Sequence, residues 1–229
     1  MWLHIQIEFE NAFVEKDKKH IEKIINDVCK EMSQFLTTEE NIRIIVDNRE
    51  EFTLDHGTWW SCFSKDIIDI HIKQNENISH HIDVWLPRTL THELAHAERW
   101  ASVWYGNTLY EAILSEWLAC NFERIMDIYW YKWWFEEDKK KLDAIINLLP
   151  KENITYDDTL AEHNKRFHGT TDEVPKNAWY NIGNNIVEIY LKKHGKKIED
   201  MLNMPFSEIE WFLEEYLKWT NKTNHSSKQ

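Results

Sequence analysis

The sequence predicts an α+β fold, with a small mixed sheet and a helix in its N-terminal part and mostly helices in its C-terminal part. Runs of β-branched residues are concentrated before residue 73. The 229 residues include only 5 Gly and 4 Pro, which interrupt helices and strands. The long stretches between them are rich in residues that favour helices. We expect one domain over residues 1–220, with an α/β lobe over about 1–86, a helical lobe over about 87–220, and a polar tail over 221–229.

The N-terminal lobe begins with an alternating segment, Leu3–Phe9, that predicts a strand. Apolar residues then recur on a helical period over Asp17–Phe35, which predicts a helix. Ile42–Val46 is a β-branched run, and Ile67–Ile72 alternates apolar and polar residues. Both segments are expected to be strands of one sheet.

The helical lobe begins after Pro87, where Arg88–Tyr105 predicts a helix that stops at Gly106. A second helix is expected from Leu109 to about residue 135. Thr108 and Glu111 have the spacing of a capping box at its start, which gives Glu111 a structural role. Three further helices are expected over about 139–149, 178–194 and 206–219.

Composition and charge exclude several classes of function. The net charge of −13 repels nucleic-acid phosphates and anionic membranes. The most apolar stretch, 125–135, is too short to span a bilayer, and the N-terminus lacks the pattern of a secretory signal. The odd number of cysteines, three, includes no Cys-x-x-Cys pair and fits a reducing compartment. We expect a cytoplasmic protein without a membrane span or a nucleic-acid partner.

The segment His92-Glu93-Leu94-Ala95-His96 has the H-E-x-x-H pattern. Imidazoles at positions i and i+4 of a helix project from one face, so both can bind one zinc ion. Glu93 lies beside that face, where its carboxylate can take a proton from a zinc-activated water. The pattern therefore predicts one zinc ion per chain, held by His92 and His96, with Glu93 as general base.

A catalytic zinc ion takes three protein ligands, and two carboxylates on the next helix compete for the third place. The capping box already accounts for Glu111. We therefore predict that Glu116 is the third ligand.

Three other interpretations of these residues were weighed. The motif can arise by chance on a solvated helix, but its apolar neighbours argue against an exposed face. A di-iron carboxylate site needs a second Glu-x-x-His, which the sequence lacks. The sequence lacks the Gly-x-Ser-x-Gly motif of a nucleophilic serine. Cys62 and Cys120 are each expected to be small buried hydrophobic residues rather than nucleophiles.

The segments Leu90–Trp100, Tyr105-Gly106 and Glu111–Ala119 resemble the core of the predicted zinc-dependent proteases typified by YjaZ. Residues 178–191 are similar to that family's C-terminal helix, and the resemblance covers roughly residues 40–215. It implies a zincin-like fold of the gluzincin type and the activity of a zinc metallopeptidase on a peptide or protein substrate. The alternative is a zinc-binding regulatory or partner-binding protein with weak catalysis, and hydrolysis of a non-peptide amide is a third possibility.

The resemblance also carries expectations for residues around the metal. Gluzincins stabilise the oxyanion with a Tyr or His from the C-terminal part, for which Tyr180 matches best, with His168 and His163 as alternatives. Trp117 stands where the family tends to have Gly, so it narrows the cleft or packs the helix. The carboxylate that orients a ligand His in some gluzincins is replaced by Cys120 or Asn121.

An extended substrate of a zincin pairs with a strand upstream of the motif helix. Two segments are candidates for that strand, Ile67–Ile72 and Asp83–Leu86.

Overall fold

The structure, a computed structural model, describes residues 3–37, 41–49, 57–62, 64–103, 107–126 and 178–210. Contacts divide the chain into two compact units. Unit 1 comprises Met1–Trp104 and Ala119–Trp130, and unit 2 comprises Tyr105–Leu118 and Tyr131–Gln229. The fold contains a small mixed sheet and several helices, which confirms the α+β prediction. The zincin-like fold stays a prediction.

Unit 1 contains a four-stranded sheet in the order β1-β2-β4-β3. The strands are β1 (His4–Phe9), β2 (Asn41–Asp47), β3 (Thr58–Ser61) and β4 (Ile67–Ile72). β1, β2 and β4 run parallel, and β3 runs antiparallel to β4. One face is a β-branched layer without solvent exposure, formed by alternate residues of the two central strands: Ile42, Ile44, Val46, Ile68, Ile70 and Ile72.

Helix α1 (Glu15–Met32) connects the parallel strands β1 and β2. Ile21, Ile25, Val28 and Met32 lie on one face of it and are all buried, as the sequence period predicts. The helix begins two residues before the predicted start, with acidic Glu15 in a first turn where negative charge stabilises a helix.

Helical structure begins well before the predicted start of the motif helix. A short helix α2 (Ile78–His80) and a π-helical turn (His81–Trp85) lead directly into α3 (Leu86–Ser102). Pro87 is in the first turn of α3 and has no N–H to donate to a carbonyl of the helical turn before it. The prediction that Asp83–Leu86 is a strand available to a substrate is therefore wrong.

The other candidate for a substrate-binding strand, Ile67–Ile72, is a strand, but it lies inside the sheet. As β4 it is hydrogen-bonded to β2 on one side and to β3 on the other. Its backbone groups are used within the sheet, so a peptide has no edge to join there. Among the described strands, the edges of the sheet are β1 and β3.

Helix α3 contacts α1, β3 and β4 within unit 1. These contacts bury one continuous stretch of the helix, from Leu86 to Arg99 apart from Pro87. The motif residues His92 to His96 are therefore in the interior of the protein. Tyr105 and Gly106, where the helix was predicted to end, lie outside the described residues.

Helix α4 (Leu109–Met126) begins in unit 2 and ends in unit 1. Unit 2 also contains α5 (Ala178–His194), which has the predicted bounds and is followed by Gly195 at a φ of 62°. A 3₁₀ helix (Ile198–Met201) comes next. The helix predicted over 139–149 lies outside the described residues, as do the parts over 127–135 and 211–219 of two other predicted helices and the tail over 221–229.

No helix in the described part of the chain is both long enough and apolar enough to cross a membrane.

Candidate metal centre

His92 and His96 are one turn apart on α3 and project from the same face. Their ring centroids are 4.7 Å apart, and the rings are inclined by 74°. One ring nitrogen of His92 lies within 4.8 Å of one ring nitrogen of His96. Only 2% of His92 and 4% of His96 are exposed. This is the imidazole pair that the sequence motif predicts, held in a buried environment.

Glu123 fixes the orientation of the His92 ring. Its Oε1 lies 2.9 Å from Nδ1 of His92, and both side chains are buried. A carboxylate accepts hydrogen bonds, so Nδ1 donates and Nε2 is the nitrogen that can bind a metal ion. Carboxylate–histidine pairs of this kind orient metal ligands and raise their basicity.

Glu123 was not among the residues predicted for this role, for which Cys120 and Asn121 were expected. Helical spacing carries the missing signal, because Glu123 is seven residues beyond Glu116 and therefore on the same face of α4.

Cys120 lies beside the same nitrogen, one turn before Glu123. Its Sγ is 3.9 Å from Nδ1 of His92, and the residue is 1% exposed. His92, Cys120 and Glu123 together offer three ligand atoms within 4.8 Å of one another. The buried thiol agrees with the expectation of a small buried residue, but its neighbours are polar.

Glu93 is also buried in this part of unit 1. Its Oε1 lies 4.0 Å from Nε2 of His92, the nitrogen available to a metal ion. Burial, and next the charge of Glu93, raise the pKa of the Cys62 thiol well above its usual range. Cys62 therefore stays a thiol, and it donates to the carbonyl of Ser64 at 3.0 Å. A protonated thiol is a poor nucleophile, which agrees with the rejection of cysteine catalysis.

Trp60 of β3 contacts the imidazole of His92. Its ring meets that of His92 edge to face, with centroids 6.1 Å apart. A side chain of β3 thus touches a motif histidine.

A family model described as "Predicted Zn-dependent protease (DUF2268)" matches residues 18–210 of the chain. The chain belongs to this family. The matched range includes α3, α4 and α5, and with them every residue that the sequence analysis assigned to the site. None of the curated proteins matches the chain.

Glu111 caps α4, as the sequence predicted. Its Oε2 accepts hydrogen bonds from the amide of Thr108 at 2.9 Å, from the hydroxyl of Thr108 at 2.8 Å and from the amide of Asn107 at 2.8 Å. The amide of Glu111 donates back to the hydroxyl of Thr108 at 3.3 Å. The reciprocal pair is a capping box, so this carboxylate is committed to the helix start.

Two of the other predicted site residues belong to unit 2. Glu116 is 3% exposed on α4, and Tyr180 is 4% exposed on α5. His163 and His168 lie outside the described residues.

Trp117, which stands at the position of a family glycine, packs against α5. Its Nε1 donates to the carbonyl of Trp179 at 3.3 Å. The indole fills the space over Gly183, where an added Cβ atom would overlap Nε1. Of the two interpretations of Trp117, the structure supports packing of the helix.

Proposed function

We propose that this protein is a peptidase in which His92, His96 and Glu116 bind one zinc ion and Glu93 is the general base. The observation that carries the proposal is the buried imidazole pair on one turn of α3, with Nδ1 of His92 held by a carboxylate. Membership in a family of predicted Zn-dependent proteases supports it.

The donor set fits zinc. Imidazole nitrogens and a carboxylate are the ligands of catalytic zinc sites in several peptidases, and the ion prefers them in a tetrahedral arrangement. The 2.9 Å contact of His92 with Glu123 is the support that a metal-binding histidine usually has.

Two observations support Glu116 as the third ligand. Glu116 and Glu123 are seven residues apart on one helix and so project from the same face, and Glu123 contacts His92. Glu116 is also buried, as are His92 and His96. Glu111 is engaged in the capping box and is not available for this role.

A zinc ion at this position supplies Lewis-acid chemistry, acidifying water and polarising a carbonyl. Glu93 takes the proton from the attacking water and delivers it to the leaving amine. Its position suits this role, because its carboxylate lies on the Nε2 side of His92. Burial excludes bulk water and strengthens the electrostatic interactions of the site.

We propose that the phenol hydroxyl of Tyr180 donates a hydrogen bond to the oxyanion that forms during attack by water. The support is its match to the family's C-terminal helix and its position in the first turn of α5. A tyrosine donor is worth roughly a hundredfold or more in rate at such a site.

β3 replaces the two segments considered earlier as the strand that binds an extended peptide. It is at an edge of the sheet, and its Trp60 contacts His92. A peptide that pairs with β3 would pass next to the imidazole pair, with alternate side chains on opposite faces of the sheet.

The test compares zinc-loaded wild type with Glu93→Gln on a mixed peptide library, with products identified by mass spectrometry. We expect equal zinc content and a fall in cleavage of at least about 100-fold in Glu93→Gln, because the general base is lost. Full cleavage by Glu93→Gln would rule out this base. No cleavage by a fully zinc-loaded wild type would favour the zinc-binding regulatory protein instead.

A further inference from the structure

A second set of metal-binding atoms lies on the far side of the His92 ring from Nε2. It consists of Nδ1 of His92, Sγ of Cys120 and Oε1 of Glu123, all buried. The proposed function uses Glu123 to orient His92 and gives Cys120 no role. The three residue types are nevertheless a complete protein ligand set for a divalent metal ion.

The distances among these atoms are close to those of a metal site. A tetrahedral ion bound to a nitrogen and an oxygen holds them about 3.3 Å apart, and one bound to a nitrogen and a sulfur holds them about 3.6 Å apart. Here Nδ1 is 2.9 Å from Oε1 of Glu123 and 3.9 Å from Sγ of Cys120. Changes of about 0.4 Å or less would bring these two separations to the tetrahedral values, and all three atoms lie within 4.8 Å of one another.

The chemistry of the set favours a soft ion. The Cys120 thiolate binds Cd²⁺ and similar cations more readily than magnesium or calcium. On binding, the Cys120 thiol releases its proton, so the thiolate and the Glu123 carboxylate together balance the two positive charges of the ion. A neutral set of charges is the arrangement that a buried position tolerates best.

The two sets share a single imidazole. A neutral imidazole has one nitrogen with an available lone pair, and the other nitrogen carries the proton. An ion on Nδ1 therefore places the proton on Nε2, which removes the lone pair that the zinc site needs. The two sites compete for His92.

We propose that His92, Cys120 and Glu123 form a second metal site, selective for soft divalent cations such as Cd²⁺, whose occupation excludes zinc from His92. This inference goes beyond the proposed peptidase activity. The second site stands on its own residues, whereas the exclusion of zinc rests on the proposed zinc site.

The test is an equilibrium titration of metal-free protein with Cd²⁺, followed by the ultraviolet charge-transfer absorption of a cadmium–thiolate bond. The zinc set contains no sulfur, so the band reports on the second site alone. We expect the band in wild type, in Cys29→Ser and in Cys62→Ser, and its loss in Cys120→Ser. Cys29 and Cys62 are matched controls because both are also buried, free thiols. No band in wild type, or a band that survives in Cys120→Ser, would overturn the proposal.

Exclusion of zinc is tested on the same samples. We expect one equivalent of zinc added first to reduce the cadmium band at least about fivefold, and added cadmium to release zinc from wild type. Cys120→Ser should keep its zinc in the same amount of cadmium, and Cys120→Ala should behave likewise. Far-ultraviolet circular dichroism and zinc content show whether these variants fold. A full-strength band beside one retained zinc ion would contradict exclusion while leaving the zinc site intact.

Discussion

At the scale of single residues, Glu123 is expected to set the affinity of the metal site through His92. Glu123→Gln keeps an acceptor for the Nδ1 proton but removes the charge, whereas Glu123→Ala removes both. We expect zinc affinity to fall about 10-fold in the first variant and about 100-fold in the second. Competition with a chromophoric chelator measures both values.

Glu111→Gln is the matched control for Glu123, because it changes a carboxylate on the same helix that belongs to the capping box. It should bind zinc as wild type does. Unchanged affinity in Glu123→Ala would show that the contact does not support the metal site.

His71 of β4 is also a buried histidine, and it gives the fold a dependence on pH. Burial lowers its pKa, although Asp47, whose Oδ2 lies 3.7 Å from Nδ1, opposes the shift. The carboxylate of Asp47 is also bound by Asn11 at 2.6 Å and by Arg49. Burial by itself would raise the pKa of Asp47, but these partners lower it.

The direction of the effect follows from the two states of His71. Its pKa is lower in the folded protein than in the unfolded chain, where it is about 6.5. As the pH falls below that value, the unfolded chain binds the proton first. The free energy of unfolding should therefore decrease from pH 7.5 to 5.5, by up to about 1.4 kcal/mol per pH unit. His71→Gln should reduce this dependence.

Urea unfolding of metal-free protein at several pH values measures it, with the exposed His4→Gln as control. A slope in His71→Gln equal to that of wild type would assign the pH dependence to other groups.

The sequence predicts the imidazole pair because the positions of His92 and His96 follow from local helix geometry. The partner of His92 could not be derived in the same way. Which residue of α4 reaches Nδ1 depends on how two helices pack, and packing is not encoded in the spacing of either helix alone. Cys120 and Asn121 were therefore expected beside Nδ1. The carboxylate that lies there is that of Glu123, about one turn further along α4.

At the scale of elements, the start of α4 depends on the capping box. Thr108→Ala removes the hydroxyl that accepts from the amide of Glu111 and donates to its carboxylate. We expect a loss of about 1 kcal/mol in the free energy of unfolding of the metal-free protein. Zinc content should not change, because the cap has no metal ligand. Loss of zinc in Thr108→Ala would show that the helix start and the metal site are coupled.

The contact of α4 with α5 in unit 2 depends on Gly183. In Gly183→Ala the new methyl group would overlap the indole of Trp117, which is 2% exposed. We expect a loss of about 1–3 kcal/mol in the free energy of unfolding, as for overpacked cores. Trp117→Leu in the same chain should recover part of this loss, because the smaller side chain makes room.

Gly195→Ala is the control for Gly183→Ala. Its φ of 62° is unfavourable for alanine, but nothing lies within 4 Å of the added Cβ. It should cost about 1–2 kcal/mol through backbone conformation alone, with no recovery from Trp117→Leu. Additive effects of Gly183→Ala and Trp117→Leu would contradict a direct contact.

Most helices and strands follow from periodicity, but the order of the strands does not. The four segments predicted in the N-terminal lobe are present as β1, α1, β2 and β4. That β4 is central and β3 is at the edge is a matter of pairing between distant segments. The helical state of His81–Trp85 was missed because this segment lacks the apolar period of a surface helix.

At the scale of the whole molecule, the division into two units has no local signal. The sequence suggests a boundary near residue 86, where β-rich sequence gives way to helices. By contacts, α3 belongs with the sheet in unit 1, and α4 contributes to both units. One continuous helix thus carries Glu116 in unit 2 and Glu123 in unit 1. The arrangement of a single domain over 1–220 stays a prediction.

The most direct test of the central claim is the zinc content of purified protein after loading and dialysis, measured by atomic emission. We expect about one zinc ion per chain in wild type and in Glu111→Ala, because the capping carboxylate of Glu111 is not a ligand. His96→Ala and Glu116→Ala should each lose most of the zinc while remaining folded by circular dichroism. No zinc in wild type, or full retention of zinc in His96→Ala, would contradict the proposed zinc site.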